Sequence, residues 1–271
     1  MVPQHHLSHF MGWLCQRRWL PFKNWQIRYF IKRYNVDINL ALQANLEDYP
    51  TFSSFFIRQL KDNARPLPQS PNAVASPADG CISQLGTINA NQVLQAKGFN
   101  YSIETLLGSE SWAKQFLNGY FATIYLAPKD YHRVHMPIAG KLIQTIFIPG
   151  KLFSVNPATV SAVANLFARN ERLVCLFETA AGPLAVIFVG AMLVGSIYTS
   201  WNKQTIKSKK LILTDYMHNP INFEMGAELG YFNMGSTVIL LFGENAVKFA
   251  DHLQVDTNLL MGDEIGTLII S

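Results

Sequence analysis

Three short segments of the sequence carry side chains able to do nucleophilic or acid–base chemistry. Asn233-Met234-Gly235-Ser236-Thr237-Val238 sets a polar step into apolar, strand-like sequence. Gly-Ser in that setting ordinarily marks a bulge or turn, and it is not the Gly-x-Ser-x-Gly nucleophile elbow. The other reading is a peptide bond made vulnerable by geometry. Gly235 permits an unusual backbone conformation, and the Ser236 hydroxyl lies one residue from the Gly235 carbonyl. Tyr131-His132-Arg133-Val134-His135-Met136-Pro137 holds two of the seven histidines. In a regular strand His132 and His135 would face opposite ways, and on a helical turn the same way; both serve one site only if the chain turns or bulges here. His-x-x-His also binds metal, but this is not His-Glu-x-x-His and no cysteine is close. Ser76-Pro77-Ala78-Asp79-Gly80 is a turn by composition, where Asp79 ordinarily bonds its own backbone. A buried turn aspartate also orients an imidazole. Serine, histidine and aspartate then make a nucleophile, base and orienter set, which is recognised by geometry rather than chain order.

The elements that must position these residues are mostly strands. Short apolar runs between turn residues predict strands at Cys81–Leu85, Gln92–Ala96, Tyr120–Leu126, Leu142–Ile148, Leu173–Glu178, Leu184–Val189, Met192–Tyr198, Lys210–Leu213, Thr237–Phe242 and Gly266–Ile270. Helices are predicted at Ser102–Leu107, Ser111–Asn118 and Val160–Ala168. Met225-Gly226-Ala227-Glu228-Leu229-Gly230 is echoed by Met261-Gly262-Asp263-Glu264-Ile265-Gly266. Each copy reads as a tight glycine corner leading into a strand, Tyr231–Met234 and Thr267–Ile270, in a partly duplicated β architecture. Upstream, residues 10–35 read as helical and interrupted near Pro21, with a second helical stretch at Tyr49–Leu60. The polar run Lys61–Ala78, with Pro66, Pro68, Pro71 and Pro77, reads as a surface connection. The fold class expected is α+β: N-terminal basic aromatic helices over residues 1–65, then a β-rich catalytic domain of largely antiparallel sheets over 66–271.

Of the 271 residues 49% are hydrophobic and 15% charged, against about one quarter charged in ordinary soluble domains, which excludes disorder. The three cysteines, Cys15, Cys81 and Cys175, lie far apart, which argues against a disulfide framework or a cysteine metal site. The net charge of +4 is concentrated: residues 1–41 carry +5 and residues 42–271 carry −1. The same front end holds Trp13, Trp19 and Trp25 among Phe10, Phe22, Tyr29, Phe30 and Tyr34. It lacks a spanning apolar stretch and the layout of a signal peptide. Lysine and arginine mixed with aromatic rings suit a membrane interface; a helical cap packed on the body is the competing reading. A nucleic-acid partner is disfavoured, because the body has no basic footprint.

Pro77-Ala78-Asp79-Gly80, Asp130-Tyr131-His132-Arg133-Val134-His135-Met136-Pro137, Phe153-Ser154-Val155-Asn156, Asn165-Leu166-Phe167-Ala168-Arg169-Asn170-Glu171-Arg172 and Gly235-Ser236-Thr237, in that order over nearly the whole chain, resemble bacterial phosphatidylserine decarboxylase. That family's cleavage motif commonly reads Leu-Gly-Ser-Thr; Met234 replaces the leucine here, a swap of similar volume.

The resemblance implies a proenzyme that cuts itself between Gly235 and Ser236 into chains 1–235 and 236–271, which remain associated. Asp79 would orient His135, His135 would take the proton of Ser236, and Ser236 would attack the Gly235 carbonyl. Elimination from the resulting ester and loss of ammonia would leave a pyruvoyl group in place of Ser236, with no metal required. The pyruvoyl carbonyl would form a Schiff base with the amine of phosphatidylserine and act as the electron sink for decarboxylation to phosphatidylethanolamine. His132 would assist decarboxylation or reprotonation, and Ser154 and Asn156 would contact the headgroup. The partner implied is phosphatidylserine in the membrane, with the protein peripheral on the cytoplasmic face of the bacterial inner membrane and a homodimer left open. The front end then reads as an interfacial anchor. The lysines Lys203, Lys207, Lys209 and Lys210 form a second basic group, better read as a solvated loop. Two other readings stay open: a pyruvoyl-dependent decarboxylase of a soluble amino-acid derivative, and a non-catalytic membrane-binding β protein with an uncut backbone.

Overall fold

The computed structural model describes residues 12–96, 98–191, 197–202, 205–206, 208–232 and 236–270. Its strands are β1 (Ala73–Ala75), β2 (Gly80–Thr87), β3 (Gln92–Ala96), β4 (Phe99–Ser102), β5 (Tyr120–Leu126), β6 (Arg133–His135), β7 (Gly140–Ile148), β8 (Arg172–Thr179) and β9 (Gly182–Val189). They continue with β10 (Ile197–Thr199), β11 (Thr205–Ile206), β12 (Ile212–Asp215), β13 (Ile221–Phe223), β14 (Glu228–Phe232), β15 (Ser236–Phe242), β16 (Val247–Phe249), β17 (Asn258–Leu259) and β18 (Glu264–Leu268). A nine-stranded sheet runs β12-β7-β8-β9-β15-β5-β2-β17, with β13 also on β7. The others run β11-β10-β14-β6, β1-β18-β16 and β3-β4. Pairing between these strands is antiparallel, as expected.

The centre of the large sheet is apolar on both faces. Leu173–Phe177 of β8, Leu184–Val189 of β9 and Val238–Phe242 of β15 are all buried, so these strands read as continuous apolar runs rather than alternating ones. The edge strand β12 is exposed throughout. The first part of the expected strand Met192–Tyr198 and the end of Tyr231–Met234 lie outside the described residues, as do Lys203 and Lys207.

β1 and β2 are repeated by β6 and β7. Ser76-Pro77-Ala78-Asp79-Gly80 links the first pair and Met136-Pro137-Ile138-Ala139-Gly140 the second. The two echoed segments are their matching partners. Gly226 donates its N–H to the Met136 carbonyl (2.8 Å) and Met136 donates to Ala227 (2.8 Å). Gly262 donates to Ser76 (3.0 Å) and Ser76 to Asp263 (2.7 Å). Glu228, Gly230 and Tyr231 face His135, Val134 and Arg133, just as Glu264, Gly266 and Thr267 face Ala75, Val74 and Ala73. Even the bulges correspond, between Ile82 and Gln84 in β2 and between Leu142 and Gln144 in β7. The echoed corners lead into β14 and β18, which begin three residues earlier than predicted. Gly226 (φ 82°) and Gly262 (φ 92°) take the left-handed conformation that favours glycine. A Cβ at either would strike Leu67 or the Pro66 carbonyl, so both corners pin the proline-rich connection against the β body.

The helix Leu20–Tyr34 starts with Pro21 in its first turn, where a missing N–H costs nothing. The stretch predicted over Tyr49–Leu60 is helical only at Phe52–Phe56, opened by a reciprocal Thr51–Ser54 capping box. These helices share a separate small core of Ile27, Phe30, Tyr49, Phe52, Phe55 and Phe56. The helix predicted over Val160–Ala168 is instead two short ones, Pro157–Val160 and Leu166–Arg169, because Asn165 between them adopts the left-handed conformation (φ 56°).

Candidate active site

The chain crosses between the nine-stranded and four-stranded sheets twice at the same place. Residues 127–132 connect β5 to β6, and residues 233–235 connect β14 to β15. β15 pairs with β5 and β14 with β6, so the two crossings are flanked by the same neighbours. Ser236 faces Leu126 across the ladder, and Phe232 donates its N–H to the His132 carbonyl (3.3 Å). Asp79 joins them because the next residue, Gly80, opens β2, whose Cys81 faces Tyr125 of β5. Gly80 cannot be larger: a Cβ there would lie 2.5 Å from the Tyr125 carbonyl oxygen.

Gly235 lies outside the described residues. Ser236 opens β15 fully buried, and its Oγ has no hydrogen-bond partner among the described residues. A buried hydroxyl without a partner is costly in an ordinary strand.

His132 is also fully buried. Its Nδ1 lies 2.8 Å from the Asp130 carbonyl; a carbonyl can only accept, so Nδ1 carries the proton and Nε2 presents a lone pair. That Nε2 has no partner among the described residues. The Phe56 ring packs on the imidazole with centroids 4.2 Å apart. Burial, aided by the nearby Arg58 charge and opposed by the Asp130 carbonyl, pushes the His132 pKa down to about 3, so the ring is neutral at physiological pH. Asp130 tightens the turn by accepting the Ala127 N–H (2.7 Å).

His135 ends β6 with both ring nitrogens engaged. Nδ1 donates to the Gly226 carbonyl (2.8 Å), fixing the tautomer, and Nε2 accepts from the Tyr131 hydroxyl (3.1 Å). The two rings stack at 5.6 Å. Burial lowers the His135 pKa, while the Gly226 carbonyl and Glu228 oppose the shift. Burial pushes the Tyr131 phenol well up, so Tyr131 acts as a neutral hydroxyl.

Asp79 lies beside His135 through the backbone, His135 donating its N–H to the Pro77 carbonyl (2.8 Å). Its carboxylate, however, is held by Arg65, whose Nε donates to Oδ1 (2.8 Å) and Nη2 to Oδ2, and by the Met261 N–H (2.8 Å). The hydrogen-bond partners of the His135 ring are therefore Tyr131 and Gly226, with Asp79 contributing its charge. Each internal repeat supplies one of these groups: Ala75 stands at the position of His135, and Ala139 at that of Asp79. Tyr131, Arg65 and the Gly226 carbonyl were not singled out by sequence. Tyr131 adjoins His132 in a segment already under suspicion, but its partner depends on the bulged path of the chain.

Ser154 and Asn156 make local bonds. Asn156 Oδ1 caps the helix Pro157–Val160, accepting from the Thr159 N–H and hydroxyl (both 2.9 Å), and Ser154 Oγ accepts the Asn156 N–H (3.4 Å). Their loop borders a cavity of about 150 Å³ lined by Val155, Pro157, Cys81, Gln95 and Tyr125. Tyr125 faces Thr237, the residue after Ser236. Among the described residues there is no group of three or more metal-ligating side chains.

Above the histidines lie the N-terminal helices. Arg133 Nε donates to the Ile57 carbonyl (3.0 Å) while its Nη1 grips both Glu228 oxygens (2.9 and 2.7 Å). The helix Leu20–Tyr34 buries Ile27 and Phe30 and exposes Trp19, Leu20, Trp25 and Tyr29, each by half or more. Trp19, Phe22, Trp25 and Tyr29 stack in sequence, with centroids 5.9–6.4 Å apart. The helix is thus a packed cap on one side and a row of uncovered rings on the other. No helix among the described residues is long and apolar enough to cross a membrane.

A family model described as phosphatidylserine decarboxylase matches residues 52–267, and one described as PSD matches residues 1–35. The chain is 49% identical over 269 residues to a protein of Coxiella burnetii, covering 98% of this chain and 95% of that one. It is 50% identical over 270 residues to one of Alcanivorax borkumensis (98% and 93% covered) and 48% identical over 272 residues to one of Pseudomonas fluorescens (98% and 94%). All three are named phosphatidylserine decarboxylase proenzyme.

Proposed function

The chain belongs to the phosphatidylserine decarboxylase family, and from that membership we propose that Ser236 becomes a pyruvoyl group by cleavage of the Gly235–Ser236 bond. The protein is a proenzyme, and the reaction of its mature form is decarboxylation of phosphatidylserine to phosphatidylethanolamine. The observation that carries the site assignment is the buried Ser236 hydroxyl, without a hydrogen-bond partner among the described residues, at the crossing shared with both histidines.

In self-cleavage, Ser236 Oγ attacks the Gly235 carbonyl and loses its proton towards His135 Nε2. The Gly226 carbonyl keeps that nitrogen basic by holding the proton on Nδ1. Tyr131 sits on Nε2 and, being both donor and acceptor, passes the proton on. Asp79, fixed by Arg65 and Met261, supplies the negative charge that favours the imidazolium. Attack exchanges the amide for an ester; elimination across Ser236 releases Gly235 as a carboxylate, and hydrolysis releases ammonia.

Residues 236–271 then form a separate chain. It keeps its place because β15 is bonded on both sides, to β5 and β9, in the middle of the large sheet. The Ser236 position fits a group made from the chain itself: it is buried, and among the described residues nothing hydrogen-bonds its hydroxyl. The pyruvoyl carbonyl supplies the electron sink that a Cα carbanion needs. His132 faces the reacting carbon as a neutral imidazole whose free Nε2 takes and returns a proton, while Phe56 keeps water away. Ser154 and Asn156 contact the headgroup from the loop beside the Tyr125 cavity.

The enzyme works at the cytoplasmic face of the bacterial inner membrane. The exposed rings of Trp19, Trp25 and Tyr29, with Arg28, Lys32 and Arg33 on the same helix, suit the headgroup layer. Carbon dioxide release from dispersed phosphatidylserine, compared with free serine and soluble serine derivatives, tests the assignment. Equal turnover of the soluble compounds would overturn it.

A further inference from the structure

Three arginines border the crossing that carries His132 and His135. Arg65 is forked on Asp79 and Arg133 on Glu228. Arg58 differs. It is 5% exposed, and among the described residues no carboxylate lies within ion-pair distance of it. Its Nη2 donates to the Lys129 carbonyl (3.1 Å), while Nε and Nη1 are buried without a hydrogen-bond partner among the described residues. Its guanidinium carbon lies over the Phe55 ring, 5.4 Å from the centroid. Burial lowers its pKa, although Tyr49, Asp79 and Asp130 oppose that shift. A guanidinium out of water with two donor groups unused is an expensive arrangement, and an anion that accepts from Nη1, or from Nε, together with the second N–H of Nη2 relieves it in part.

Arg58 also stands beside the turn that carries His132. Lys129, which it anchors, precedes Asp130, whose carbonyl orients His132. Phe56, two residues before Arg58, packs on the His132 ring, and the Arg58 charge is felt by that ring. Resting on the decarboxylase reading above, we propose that Arg58 binds the phosphodiester of the phosphatidylserine headgroup.

The substrate offers two anions, the α-carboxylate and the phosphodiester, and the chemistry separates them. The carboxylate loses its charge as carbon dioxide departs. A cation paired with it would stabilise the ground state more than the transition state and slow the reaction. The phosphodiester keeps its charge throughout and is present in both substrate and product. An arginine on it supplies binding that is uniform along the reaction, lowering KM with little effect on kcat. Only the β-carbon and one ester oxygen lie between Cα and phosphorus, so the phosphodiester stays within a few bonds of the reacting carbon. Arg58 thereby distinguishes a phospholipid headgroup from a serine derivative without phosphate.

The test uses the full-length protein and its Arg58→Gln and Arg58→Lys variants, with intact mass confirming that each self-cleaves and is therefore folded. Arg58→Gln is expected to raise KM for phosphatidylserine in mixed micelles by about tenfold or more, with kcat within about threefold. Arg58→Lys recovers part of the loss. Turnover of an O-alkylserine ether, which has the amine and carboxylate but no phosphate, falls by no more than the roughly threefold change in kcat. Glycerophosphoethanolamine inhibits the wild type competitively and Arg58→Gln far less; inorganic phosphate is a much weaker inhibitor. Equal loss with the ether, a fall in kcat at unchanged KM, an unchanged KM, or inhibition by inorganic phosphate as strong as by glycerophosphoethanolamine would each overturn the assignment. Wild-type protein that self-cleaves without decarboxylating phosphatidylserine would instead refute the reading on which the proposal rests.

Discussion

The Tyr131 hydroxyl donates to Nε2 of His135 at 3.1 Å, occupying the nitrogen that, in the self-cleavage proposed above, receives the proton of Ser236. Because Nδ1 is held by the Gly226 carbonyl, this base can accept only through the atom that Tyr131 covers. On that proposal tyrosine is part of the proton path. Tyr131→Phe keeps the ring stack but removes the hydroxyl, and it is expected to slow self-cleavage about tenfold, the size of one buried hydrogen bond. Appearance of the short chain in a pulse-labelled culture measures it; cleavage at or above the wild-type rate would mean that Tyr131 merely covers the base.

The two histidines have different partners and should fail differently. His132→Ala leaves the Tyr131–His135–Gly226 arrangement in place, so the chain is expected to cut itself and then turn over 10²- to 10⁴-fold more slowly. His135→Ala should accumulate the uncut precursor. Gel analysis beside a carbon dioxide assay separates the two, and the reverse pattern would exchange their roles.

Both imidazoles are buried in the neutral form, which makes the fold sensitive to acid. The folded pKa of His132, about 3, lies below the unfolded value of about 6.5. Between these values the unfolded chain binds a proton that the folded chain does not, so stability falls as pH drops through that window. The slope is about 1.4 kcal/mol per pH unit for each such group, and His135 shifts in the same direction. In the uncut Ser236→Ala background, His132→Asn should flatten the decline in urea stability between pH 6 and 4 by about that amount. Parallel slopes with and without His132 would contradict it.

The exposed ring row on the helix Leu20–Tyr34 points outward while Ile27 and Phe30 point in. Replacing Trp19 and Trp25 together by serine should weaken binding to anionic vesicles by about tenfold or more and leave activity on detergent-dispersed substrate near normal. Loss of both activities alike would show that the rings serve the fold instead.

The candidate residues were more legible in the sequence than the geometry that holds them. His132, His135, Asp79 and Ser236 stand in short motifs of unusual composition, and each reaches the shared crossing or its border. The central strands were legible because they are buried on both faces and bounded by turns. Strands of two or three residues, such as β1, β6 and β17, left too short a pattern to find, and the two helices around Asn165 were read as one. Arg65 was missed because an arginine in a polar stretch looks solvated, and Arg58 because a charge at the end of an apolar helical run reads as its exposed side. Their burial depends on the two repeated glycine corners and on the N-terminal helices, which come together only in the folded chain. The glycine echo was visible, but its role was not: the first copy holds His135 through the Gly226 carbonyl and the second holds Asp79 through the Met261 N–H.

The most direct measurement is the intact mass of the purified, catalytically active protein beside its Ser236→Ala variant. Two chains are expected for the wild type, residues 1–235 and a fragment 236–271 whose first residue has the mass of a pyruvoyl group rather than serine, with Ser236→Ala remaining a single chain of 271 residues. Active material consisting only of uncut chain, or a short chain that still begins with serine, would contradict the account.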